Sequence, residues 1–179
     1  MSLQAGRQST VGAVLGGLLF ITFAVLFWNI LQVPRTALDE RETMRMVHDS
    51  VGLLVMLLAA ASIYCFCKYP RPSPPQGLPE NSFSYNRLIL IFIYLTFVVT
   101  GFIGFAYAWG EFDREIVLFG WQVPQLVADD DGVRKTYGYL HSALGFYYLF
   151  LFGIWIVYGI YQQLRYRAGW RRLFPGSRV

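Results

Sequence analysis

Apolar residues in this chain are not spread as stripes or alternating positions; they gather into four long runs separated by short polar segments. A helix needs about 20 mostly apolar residues to cross a hydrocarbon core of roughly 30 Å. The runs near 11–31, 47–67, 88–109 and 136–161 have that length. The first, Val11 to Leu31, holds 21 residues without a charge, and no small-residue cleavage site follows it. It is too long for the apolar core of a secretory signal and is expected to remain as a helix. The second follows Asp39-Glu40-Arg41-Glu42 and ends at Lys68-Tyr69-Pro70, where proline stops a helix and a basic residue marks an interface. The third, Leu88 to Trp109, is again uncharged, and the fourth carries Gly138, Gly145, Gly153 and Gly159, which permit close packing between helices. The pattern predicts an all-α fold: one integral membrane domain over residues 1–179, built as a four-helix bundle.

Composition agrees, since 55% hydrophobic and 18% aromatic residues exceed what a soluble domain of 179 residues carries. Charge then orients the bundle. The N-terminal segment, the second connection and the C-terminal segment hold nine basic residues against Glu80, net +8. The first and third connections, with the adjoining helix ends, hold six basic residues against ten acidic ones, net −4. Basic segments stay on the cytoplasmic side, so both termini are predicted there. The same rule accounts for the overall positive charge without nucleic-acid binding, and the basic-aromatic tail Trp170 to Phe174 suits anionic lipid headgroups.

Only two histidines occur, His48 and His141, each a few residues inside the start of an apolar run. Ionisable groups at that depth are costly and point to function. With the predicted orientation, runs two and four both travel inward, so the two imidazoles enter from the same face at similar depth. His48 is followed four residues later by Gly52, and His141 by Gly145. Residues four apart share a helix face, so a side chain is missing one turn below each imidazole. A flat macrocycle held on edge fits such a slot, and one heme b with two axial imidazoles is the ligand expected. Arg45, Arg134 and Lys135 lie near enough in sequence to meet heme propionates. Zinc is a poorer match, because it takes three or four nitrogen, sulfur or carboxylate ligands and no third histidine exists.

Other motifs are plainer. Cys65 and Cys67, two apart, lie on different helix faces and read as packing residues. Pro70 to Pro75 reads as a stiff connector, and the apolar stretch Ile116 to Trp121 in the longest outer connection as a segment on the interface capping the slot. No nucleophile triad, phosphate loop or dinucleotide fingerprint is present, so any enzymatic role would rest on redox chemistry at the heme.

Over nearly its whole length the chain resembles the prokaryotic cytochrome b561 family, four-helix membrane proteins that include bacterial superoxide oxidase and the b-type subunits of some dehydrogenases. The resemblance rests on Met46-Val47-His48 with Gly52, Lys68-Tyr69-Pro70, Phe119-Gly120 with Pro124, and Leu140-His141. It implies a multi-pass protein of the bacterial inner membrane in which His48 and His141 match the outer pair of axial ligands, transferring electrons to or from a quinone. Family members typically hold a second heme through two further histidines, one of them at the position of about Trp155, and this chain has neither. Three roles are therefore expected in order: a one-heme cytochrome serving a quinone, a periplasmic electron carrier or another redox partner; an accessory subunit of a larger respiratory or photosynthetic complex; and a superoxide:quinone oxidoreductase. The net −4 of the outer face disfavours the last, since an anionic substrate is steered by positive charge.

Overall fold

The computed structural model describes residues 3–69, 74, 77–111, 114–128 and 130–167, with side chains from residue 11 onward except that of Ala13. Most of the Pro70–Pro75 connector and the Trp170–Phe174 tail lie outside these residues. Of the described residues, 80% are helical. Helix α1 spans Leu3–Gln32, α2 Arg41–Lys68, α3 Glu80–Trp109 and α4 Asp131–Tyr166. All four are long and apolar enough to cross a membrane, as the hydrophobic runs predicted.

The helices outrun those runs at their polar ends. Intrahelical hydrogen bonding continues past the apolar boundary until a cap or a proline interrupts it. Pro79 (φ −59°) precedes α3, which starts eight residues before Leu88, the predicted first residue. At α4, the Asp130 carboxylate accepts the Val133 N–H at 2.7 Å, a side-chain cap on one of the first turn's unpaired donors.

Helix α3 is central, packing against both α2 and α4, while α1 packs against α2. Two glycines on α3 set the spacing. A Cβ on Gly101 would stand 2.7 Å from Met56 Sδ on α2, and one on Gly104 would stand 2.8 Å from His141 Cε1 on α4. Both helices therefore approach α3 more closely than any larger residue allows. Gly138 is likewise pressed by the Tyr107 ring of α3, whereas Gly153 faces open space; only part of the predicted glycine packing on α4 is realised.

At mid-bundle, rings bridge α1, α3 and α4. Phe23 lies 5.3 Å from Phe97, 5.4 Å from Tyr148 and 6.0 Å from Phe152, centre to centre. At the end far from the histidines, the buried Gln162 amide donates to the Ser82 carbonyl (3.0 Å) and hydroxyl (3.1 Å), and Tyr158 shares a bond with the same hydroxyl at 2.9 Å. These bonds tie α3 to α4 where an unpaired amide would be costly.

The segment Ile116 to Trp121, expected to lie along the interface, forms a hairpin against α2. Strand β1 (Ile116–Leu118) pairs antiparallel with β2 (Trp121–Val123), Ile116 opposite Val123 and Leu118 opposite Trp121. The two-residue turn, Phe119-Gly120, has φ +52° and +86°, the positive pair that a tight hairpin with matching strand twist needs. Ile116 is 1% exposed beneath the hairpin, and the Phe119 N–H donates to Ser50 Oγ of α2 at 3.0 Å. Ile116→Ala should lower stability by about 2–5 kcal/mol, read as the midpoint of thermal unfolding in mild detergent. Truncating the 80%-exposed Trp121 should leave that midpoint unchanged.

Candidate functional site

His48 lies two turns into α2 and His141 nearly three turns into α4. Their ring centres are 6.1 Å apart, with planes at 80°. The two histidines that sequence placed at similar depth thus face each other across the bundle.

Their surroundings differ. His141 Nδ1 is 3.1 Å from the Thr100 carbonyl, so in the tautomer carrying hydrogen on Nδ1 the ring donates to α3 backbone and leaves Nε2 free as a ligand. The ring is also pressed against Gly104. His48 Nδ1 is buried without a hydrogen-bond partner among the described residues. One turn below His48, a Cβ on Gly52 would meet nothing within 4 Å, and one on Gly145 would touch only Tyr148 Cε1, at 3.9 Å. Room therefore exists beside both glycines, and the ring cluster of Tyr148, Phe23 and Phe97 closes the space two turns below His141.

A run of ion pairs lies over the His48 end. Arg114, in the connection between α3 and the hairpin, bonds Asp49 Oδ2 at 2.7 Å and Glu111 Oε2 at 3.0 Å, and Arg45 bonds Glu111 Oε1 at 3.2 Å. The side chains of Arg114 and Asp49 are only 8% and 13% exposed. Arg45, predicted near the site, is present but carried by Glu111 and 41% exposed. Arg134 and Lys135 turn away to pair with Asp131 on the surface. Among the described residues the buried cation is Arg114, which sequence reasoning missed, as it missed Thr100 and Gly104. A signal for Gly104 existed: a glycine amid large apolar residues in a charge-free span. Trp155, at the position that the resemblance assigns to a second-heme ligand, lies with its ring centre 5.6 Å from that of Phe152, the planes tilted by 33°. Cys65 and Cys67 are free thiols near the far end of α2.

The family profile described as prokaryotic cytochrome b561 matches residues 10–176. The chain belongs to the prokaryotic cytochrome b561 family. No curated protein matches it. Membership makes this chain a membrane b-type cytochrome of electron transfer, with four helices able to span the bilayer.

Removing one member of a buried ion pair leaves the other charge uncompensated, so Arg114→Met in this cytochrome b561 homologue should cost about 3–5 kcal/mol. Lys135→Met breaks an exposed pair and should leave stability nearly unchanged. Chemical unfolding of both variants in the same detergent checks the contrast.

Proposed function

We propose that this cytochrome carries one b heme, held through its iron by His48 and His141 near the periplasmic face of a bacterial inner membrane, and exchanges electrons with a quinone or a protein redox partner. The imidazole spacing carries the reading. A metal–nitrogen bond of about 2.0–2.1 Å, with the ring centre about 1 Å beyond the nitrogen, separates two axial rings by roughly 6 Å, against the 6.1 Å found. Among the described residues no three His, Cys, Asp or Glu side chains gather at one point, so two imidazoles alone suit a metal whose other four ligands come from a macrocycle. Heme bound there supplies one-electron chemistry.

The protein's part is binding and tuning. Gly52 and Gly145 leave width for the macrocycle beside each imidazole, and the Thr100 carbonyl holds the His141 ring in the ligating tautomer. Arg45, still partly exposed, stands where a propionate can reach solvent, and Arg114 contributes a buried positive charge beside Asp49. Burial and such hydrogen bonds set a heme's reduction potential. The net −4 of the outer segments favours a cationic electron carrier over superoxide.

A role as accessory subunit is the second reading, favoured by α4: almost none of its most apolar stretch is buried within the chain, which leaves a long face for another subunit or for lipid. A free cytochrome purifies alone, whereas a subunit copurifies with fixed partners in mild detergent.

The deciding measurement is the dithionite-reduced minus air-oxidised spectrum, with heme quantified per polypeptide. One low-spin b heme per chain is expected. His48→Ala and His141→Ala should each abolish the low-spin spectrum, Gly145→Leu should expel heme by filling the slot, and Cys65→Ser or Cys67→Ser should change nothing. A normal spectrum in His141→Ala would sink the site.

A further inference from the structure

The two imidazoles are not held alike. A metal-bound histidine ordinarily donates its second ring N–H to a carbonyl or carboxylate, which fixes the tautomer and the ring plane; loss of such a partner typically lowers metal affinity 10–100-fold. His141 has this arrangement, with Nδ1 3.1 Å from the Thr100 carbonyl. Its ring also lies so close to α3 that even a methyl group on Gly104 would fall 2.8–2.9 Å from Cε1 and Nδ1. His48 has no equivalent. Among the described residues its Nδ1 is buried and finds no hydrogen-bond partner, and Gly52, one turn below, borders open space. The polar groups nearest in sequence point to other partners: Asp49 pairs with Arg114, and Ser50 Oγ accepts from the Phe119 amide.

Resting on the heme reading above, we propose that His141 is the fixed ligand and His48 the exchangeable one, so that the His48 side of the iron is a binding position for a small neutral outside ligand. Exchange there breaks one iron–nitrogen bond and forms one bond from iron to the incoming ligand, with no electron gained or lost by either. Retention of the cofactor then falls to His141 and α3. The His48 ring, buried with an unpaired polar nitrogen, leaves the metal at lower cost than a ring whose departure must also break a hydrogen bond.

The test uses the purified full-length protein and the probes carbon monoxide and imidazole. His48→Ala should keep at least half of the wild-type heme, in a high-spin form that added imidazole returns to low spin. His141→Ala should lose heme about tenfold or more. In the wild-type protein, which needs no substitution to fold, carbon monoxide should shift the dithionite-reduced spectrum. Gly104→Ala retains both imidazoles but displaces the His141 ring, and it should lower heme content as well. Equal heme loss in the two histidine variants, heme retained in His141→Ala but lost from His48→Ala, or a reduced wild-type spectrum indifferent to carbon monoxide would each overturn the proposal while leaving a two-histidine heme in place. Wild-type protein without heme would overturn the underlying reading too.

Discussion

Inside a bilayer no water is at hand to satisfy a polar group, and that constraint organises this structure at each level. It forces the backbone into helices, which satisfy their own amides and carbonyls. It then gathers polar side chains where two elements touch and a partner is within reach. Asn29 of α1 donates to the Met44 carbonyl of α2 at 3.2 Å. Gln162 and Tyr158 of α4 share Ser82 of α3, and His141 of α4 meets the Thr100 carbonyl of α3. Each is a cross-link between helices that gives a buried polar atom a partner, although the Oδ1 of Asn29 stays unbonded. Where the bundle carries only apolar contacts, shape does the work instead: Gly101 and Gly104 bring α2 and α4 close to α3, and the Phe23–Phe97–Tyr148 rings fill the middle.

Helix α3 therefore matters more to the site than its lack of ionisable ligand residues suggests. It presents a backbone carbonyl to one imidazole and offers a surface low enough, at Gly104, for that ring to lie flush. Ion pairing closes the same end of the molecule. Arg114 reaches from the α3–hairpin connection to Asp49, while Ile116 and the Phe119–Ser50 bond fasten the hairpin to α2. With the charges of Asp49, Glu111, Arg45 and Arg114 in balance, the pairs cover the His48 end without leaving an isolated buried charge, the arrangement that burial tolerates.

Much of the fold is legible in local pattern. Four apolar runs of adequate length meant four spans, and His48 and His141 at matching depth meant that two imidazoles would share one end of a bundle. The boundaries were less legible, because Asp130 and Pro79 set helix starts by capping chemistry several residues outside the apolar runs. The hairpin was missed for a related reason: Phe119-Gly120 is a weaker turn signal than asparagine or aspartate before glycine, and the apolar residues around it read equally well as an interfacial segment. Arg134 and Lys135, named from proximity in sequence, found Asp131 one turn away on their own helix, a competition that sequence distance to His141 did not reveal.

The sequence by itself determined what depends on hydrophobicity and helical period: membrane insertion, the number of spans, the pairing of His48 with His141 and the glycine one turn below each. Only the tertiary structure decided which polar atoms find partners. The Arg114–Asp49 pair joins residues 65 apart in the chain, and the His141–Thr100 contact residues 41 apart. Such bonds form because α3 and the connection after it are folded back onto α2 and α4. No local pattern encodes that approach, and it is what separates a histidine whose second nitrogen is bonded from one whose second nitrogen is not.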